Sequence, residues 1–150
     1  MSSEQLNRGR RSLPGQVYVL STTCHARQRR FLTKASADCV INQFHEMQTQ
    51  GRVCSLAWVV MPDHMHWMLE LKSGTLAQLV RRVKSSSALA LNRMSGTVGR
   101  VWQAGYFDHA VRNDESLERQ ARYILANPVR AGLACAIGEY PFAWCVWAVD

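Results

Sequence analysis

The chain has 150 residues, 47% apolar and 19% charged, which is the balance of one ordinary globular domain and excludes collagenous, mucin-like or wholly disordered classes. No apolar run approaches the roughly 20 residues of a membrane-spanning helix, and the polar start from Met1 to Arg11 lacks the apolar stretch of a secretory signal, so a cytoplasmic protein is expected. A formal net charge of +7 favours a polyanionic partner, nucleic acid first, and five cysteines without a C-x-x-C pair argue against a disulfide framework or a zinc knuckle.

Residues 1–13 carry Arg8, Arg10 and Arg11 among Ser, Asn, Gln and Gly, a composition unable to form a core, and read as a flexible basic arm for phosphate contacts. Val17 to Thr23 is β-branched and aromatic and reads as a first strand, followed by a basic loop with Arg27, Arg29 and Arg30. Between Ser36 and Gln50 the apolar residues Val40, Ile41, Phe44 and Met47 keep helical spacing, with Gly51 as the stop. The nearly continuous apolar run Val53 to Met61 predicts a buried strand. Pro62-Asp63 then turns the chain back into a strand over His64 to Leu71.

Thr75 is placed to cap a helix whose Leu76, Leu79, Val80 and Val83 form one apolar stripe, with Arg81, Arg82 and Lys84 left for solvent or for phosphate. This helix runs to about Met94, weakened by Ser85-Ser86-Ser87. A fourth strand over Tyr106 to Arg112 follows, with His109 and Arg112 as candidate phosphate contacts. A third helix starts at Asn113 or Asp114, buries Leu117, Ala121, Ile124 and Leu125, and ends or breaks at Asn127 before Pro128. The aromatic tail, residues 134–150, has no place that the sequence can assign. The order predicts an α+β class, the ferredoxin-like βαββαβ sandwich, with an additional C-terminal helix.

Two features carry chemistry. In a strand, alternate side chains share a face, so His64 and His66 stand together opposite Met65, Trp67, Leu69 and Leu71. Paired imidazoles are half of a metal site. On the third helix, at about 3.6 residues per turn, Tyr123 lies about 100° from Ile124 and about 160° from Ala121, off the buried stripe, and Asn127 follows one turn later. Taken singly, a His-x-His pair is more often part of a half-exposed strand and a helical Tyr more often a rim residue. Asp63 reads as a turn residue before it reads as a partner of histidine.

Together, Met61-Pro62-Asp63-His64-Met65-His66, Trp102-Gln103, Phe107 to Arg112 and Tyr123 to Leu133 resemble the REP-associated tyrosine transposases, a branch of the single-tyrosine HUH nucleases. The resemblance runs from about Val17 to Leu133. It implies that His64 and His66 bind a divalent ion, that Asn127 supplies a third ligand, and that Tyr123 attacks DNA. It also implies a substrate of single-stranded DNA beside a hairpin, of the repetitive extragenic palindrome type, in a bacterial nucleoid. Mixed nitrogen and oxygen ligation suits Mg²⁺ or Mn²⁺.

Attack by a phenol, whose ordinary pKa is about 10, would leave a 5′-phosphotyrosine and a free 3′-OH, a bond that strand joining can reverse. Two other classes compete: a non-catalytic single-stranded DNA or RNA binding module on the same fold, and a metal-dependent hydrolase using water. The chain is expected as a monomer or a homodimer, with Tyr123 serving either its own histidines or a partner's.

Overall fold

The computed structural model describes residues 12–112 and 116–148. Five strands are present: β1 (Val17–Thr23), β2 (Val53–Val60), β3 (His64–Leu71), β4 (Phe107–Ala110) and β5 (Ala143–Cys145). The helices are α1 (Lys34–Thr49), α2 (Leu76–Ser95), α3 (Leu117–Leu125) and the short α4 (Asn127–Arg130). The sheet is antiparallel throughout, in the order β4-β1-β3-β2-β5. Without β5 this is the expected split βαβ arrangement, in which each parallel pair joined by a helix has another strand inserted between its members. Among the described residues no helix is long and apolar enough to cross a membrane.

Helix boundaries follow local chemistry. Thr33 and Ser36 satisfy each other's backbone N–H groups at the start of α1, and Thr75 and Gln78 do the same for α2, so each helix begins with reciprocal capping. Gly51 (φ +73°) and Gly96 (φ +65°) take the left-handed conformation just past each helix end, where a side chain would be strained. The serine run predicted to weaken α2 does not break it. Ser87 is fully buried and its Oγ accepts from Trp102 Nε1 at 3.0 Å, so the residue anchors the helix to the loop ahead of β4.

Strand alternation in β3 divides the protein into two layers. Met65, Trp67, Leu69 and Leu71 face α1 and α2, packing with Phe44, Met47, Leu79 and Val83 in the larger core. Within it Trp67 Nε1 donates to Ser55 Oγ at 2.9 Å, which satisfies the polar atom of a fully buried ring. Met68, on the histidine face, joins Ala57, Val59, Met61 and Val111 beneath Ala121, Ile124 and Leu125 of α3. The sheet therefore separates α1 and α2 from α3.

The tail that the sequence could not place supplies β5, which covers the outer edge of β2. There Trp144 stacks on Trp58 at 4.6 Å between ring centroids, and Tyr140 Oη donates to the carbonyl of Val60 at 2.9 Å.

Candidate active site

His64 and His66 open β3 on the face covered by α3, with ring centroids 5.0 Å apart. Each ring is held through Nδ1. His64 Nδ1 lies 2.7 Å from Asp63 Oδ1, and Asp63 Oδ2 in turn meets Arg27 Nε at 3.4 Å. Arg27 reaches it from a turn in which Ala26 and Arg27 both take φ near +55°, a conformation that costs a non-glycine residue about 1 kcal/mol. His66 Nδ1 lies 2.5 Å from the Oγ of Ser21, its direct cross-strand partner in β1. With the proton on Nδ1 donated to these oxygens, each ring keeps a lone pair on Nε2.

Electrostatics favour the neutral ring at His66. Burial, then the nearby His64 and Arg130, push its pKa from 6.5 down to about 4, so the ring is neutral near pH 7. For Asp63, burial alone would raise the pKa, but the hydrogen bond and charge of His64, followed by Arg27, outweigh it and hold the carboxyl below its ordinary value. Asp63 is thus both the turn residue that the sequence suggested and an orienting partner of His64.

The nucleophile candidate comes from α3, capped by Ser116 Oγ, which accepts from Arg119 N at 3.2 Å. The start expected at Asn113 or Asp114 lies outside the described residues. Ala121, Ile124 and Leu125 face the sheet, as their spacing requires, and Tyr123 is 65% exposed. Pro128 sits in the first turn of α4, so the chain breaks after Leu125 and restarts, which sets Asn127 and Arg130 beside the end of α3. Asn127 Nδ2 donates to the carbonyl of Ile124 at 3.0 Å, which orients the amide and leaves Oδ1 as its acceptor. The Arg130 guanidinium lies 4.2 Å from the centre of the Tyr123 ring, and its Nη2 donates to the Tyr123 carbonyl at 2.9 Å.

A cleft of about 390 Å³ joins these groups, lined by Val19, Ser21, His66, His109, Gln120, Tyr123, Ile124, Asn127 and Arg130. Tyr123, His66 and Asn127 of one chain therefore share one cavity, and His64 adjoins it through His66. Among the described residues no three His, Cys, Asp or Glu side chains cluster to hold a metal ion. The side chains that could hold an ion are the two imidazoles, both with Nδ1 already engaged, and the amide oxygen of Asn127. That set fits a divalent ion with open coordination positions.

A family profile described as "Transposase IS200 like" matches residues 16–127, which takes in β1 to Asn127 and so both histidines and the tyrosine. The chain belongs to this family. A REP-associated tyrosine transposase of Escherichia coli (strain K12) is 30% identical over 89 residues, covering 58% of this chain and 51% of the relative. The match thus spans about half the length of that relative. A Haemophilus influenzae relative is 23% identical over 146 residues, covering 86% of this chain and 79% of its own. In three dimensions, a solved REP-associated tyrosine transposase bound to a REP hairpin superposes with a TM-score of 0.72 at 22% identity. It covers 94% of this chain and 90% of that one, so the two share a fold.

Among the described residues, the expected phosphate contacts Arg81, Arg82 and Lys84 do not line the cleft of Tyr123, whereas His109 does. Arg81 and Arg82 are exposed on α2, across the sheet from α3. Lys84 is half-buried, and its Nζ donates to the carbonyls of Gln103 (2.8 Å) and Gly105, which ties α2 to the loop before β4. Arg112 is exposed just past β4, the strand that carries His109 into the cleft. Arg8, Arg10 and Arg11 lie outside the described residues. Sequence reasoning gave no role to Ser21, Gln120 or Arg130, although helical spacing sets Gln120 on the face of Tyr123 and Arg130 belongs to the Asn127-Pro128-Val129-Arg130 block.

Proposed function

We propose that this chain is a single-stranded DNA endonuclease with strand-joining activity, acting beside a hairpin of the repetitive extragenic palindrome type. One observation carries the reading: Tyr123 opens into the same cleft as His66 and Asn127, within a single chain. His64, His66 and Asn127 would hold Mg²⁺ or Mn²⁺. Such an ion, when bound, polarises the scissile phosphate and orients it for in-line attack.

The protein's own groups do the rest. Asp63 and Ser21 fix the two imidazoles, so the ligands need no reorganisation when an ion arrives. Arg130 fixes the Tyr123 ring from one side while leaving the phenol open to substrate. Tyr123 Oη bonds to phosphorus as its proton passes to solvent, the 3′ oxygen leaves, and a 5′-phosphotyrosine remains. Attack by a free 3′-OH on that linkage reverses the step and joins strands. His109, which lines the cleft, would meet the entering strand, and Arg112, exposed just past β4, would add a phosphate contact.

The test is adduct formation on single-stranded oligonucleotides carrying a hairpin. The unaltered chain is expected to yield a covalent species by mass spectrometry on Tyr123, lost in excess chelator, and Tyr123→Phe is expected to bind DNA without cutting it. Cleavage retained by Tyr123→Phe would mean that water is the nucleophile. Binding without cleavage by the unaltered chain, with Mg²⁺ or Mn²⁺ supplied, would mean a binding module.

A further inference from the structure

Among the described residues, Ala26 and Arg27 are the two non-glycine residues whose φ is positive, and they are adjacent, in the turn that follows β1. Left-handed backbone crowds the Cβ of an ordinary residue, so two in succession persist only where surrounding contacts fix them. Those contacts run along the backbone of residues 24–31. Cys24 N donates to the carbonyl of Asp63 at 2.8 Å and Phe31 N to that of Pro62 at 3.0 Å, which ties both ends of the segment to the turn that starts β3. His25 N donates to the Val101 carbonyl at 2.8 Å, and the fully buried Phe31 ring packs 5.2 Å from Trp102. Within the turn, Arg27 N donates to the Cys24 carbonyl (3.0 Å) and Gln28 N to that of His25 (3.2 Å). Arg27 and Asp63 are therefore held on one frame. Arg30, from the same segment, goes elsewhere, its Nη2 donating to Thr97 Oγ1 at 3.1 Å.

The two oxygens of Asp63 have different partners. Oδ1 meets His64 Nδ1 at 2.7 Å, and Oδ2 meets Arg27 Nε at 3.4 Å. The terminal torsion of an aspartate is broad and two-fold, so a carboxylate with one partner can swing its plane or exchange its oxygens. A second partner on the other oxygen removes that freedom. His66 needs no such help, because the hydroxyl that meets it belongs to Ser21, inside the paired strand β1. Asp63 lies in the turn between β2 and β3, and Arg27 supplies for it what strand pairing supplies for Ser21. The Arg27 side chain is 66% exposed, so this ion pair matters for direction rather than for stability.

We propose that Arg27 is a positioning residue for ion binding: it holds the Asp63 carboxylate so that Oδ1 accepts from His64 Nδ1 and His64 keeps the lone pair of Nε2 for the ion. The inference rests on the reading under Proposed function in taking His64 as an ion ligand. It carries a sign that separates it from a simple charge effect. A guanidinium repels a divalent cation, so deleting Arg27 for its charge alone would tighten ion binding. Deleting it as a brace weakens that binding.

The experiment compares the unaltered chain with Arg27→Ala, Arg27→Lys and Ala26→Gly. In metal-free, isotope-labelled protein at about pH 8, where an ordinary imidazole is neutral, the ring nitrogen chemical shifts of His64 and His66 report which nitrogen carries the proton. Mn²⁺ affinity is then measured by calorimetric titration without DNA. Arg27→Ala is expected to move the His64 shifts toward a mixture of tautomers and to leave those of His66 in place. It should weaken Mn²⁺ binding about 3–10-fold, less than the ~10–100-fold typical when a ligand's direct partner is lost. Arg27→Lys, which keeps the charge but not the planar fork, should fall between. Ala26→Gly, which keeps Arg27 and lifts the crowding beside it, should match the parent in both readouts. With Asp63→Ala already present, adding Arg27→Ala should weaken Mn²⁺ binding no further, since the effect passes through the carboxylate. His64 shifts unchanged in Arg27→Ala, or Mn²⁺ bound equally or more tightly, overturn the inference. So does a parallel change at His66, which would mean a disturbed sheet. A parent chain that binds no Mn²⁺ sinks the ion site of the proposed function and this inference with it, whereas an Arg27-insensitive site in a parent that binds Mn²⁺ sinks this inference alone.

Discussion

Removing the Ser21 hydroxyl isolates the part of the site that only the fold reveals. In Ser21→Ala the 2.5 Å contact to His66 Nδ1 disappears, leaving a half-buried imidazole with no fixed tautomer or orientation. Losing one such hydrogen bond costs about 1 kcal/mol of stability, a small share of the roughly 5–15 kcal/mol that holds a domain together, so the protein should stay folded. The effect on an ion bound through Nε2 should be larger in consequence. Losing the hydrogen-bond partner of a ligating histidine typically weakens metal affinity about 10–100-fold, or roughly 1.4–2.7 kcal/mol. The assay is a Mn²⁺ titration of adduct formation, with calorimetric titration of the same ion. Half-activation should move up by that factor while the rate at saturating Mn²⁺ recovers, and Ser21→Thr, which keeps a hydroxyl on the same strand face, should stay near the parent. Identical ion dependence in parent and Ser21→Ala would refute the assignment of His66 as a ligand braced by Ser21.

Three further outcomes follow from named contacts. In chelator, stability should fall as pH drops from about 6.5 toward about 4, because the unfolded chain then protonates His66 while the folded chain resists; this contribution is at most about 3 kcal/mol, is fully present above pH 6.5, and is absent from His66→Gln in melting curves against pH. Arg130→Ala should lower the single-turnover rate of adduct formation more than it weakens DNA binding, with Arg130→Lys intermediate because it keeps charge over the ring but loses the planar fork; equal losses in both would make Arg130 a DNA contact only. Mixing Tyr123→Phe chains with His64→Ala chains should restore no cleavage, since one chain carries the whole constellation, and recovered cleavage would show a site shared between two chains.

Much of this arrangement was legible because it is periodic. Alternation along β3 separates His64 and His66 from Trp67 and Leu69, and a 3.6-residue period puts Tyr123 off the stripe of Ala121, Ile124 and Leu125; the structure keeps both divisions. What was not legible depends on register. Ser21 faces His66 because β1 pairs antiparallel with β3 at one particular offset, and nothing local to Ser21 encodes that offset. Likewise, Arg130 meets Tyr123 through the break at Pro128, which the sequence marks as a stop without giving the direction of the next turn. The three-residue strand in the tail was too short for a periodic signal and exists through pairing with β2 and the Trp58–Trp144 stack. Lys84, which the sequence leaves for solvent or for phosphate, gains two backbone carbonyls as partners from a loop that only the fold brings near.

The division of the interior into two unequal cores bears on how the two halves of the site resist opening. Among the described residues, twenty-two buried side chains form the core beneath α1 and α2, and eight form the one beneath α3. Amide hydrogen exchange reports such differences directly, since segments held by fewer buried contacts open at lower free energy than the global limit. By that measure the strand bearing the histidines, packed into both cores, is expected to exchange most slowly, and the helix bearing the tyrosine, packed only into the smaller one, to open at lower free energy. An attached strand of DNA would then ride on the looser unit, and the imidazole pair would stay in place to receive it again.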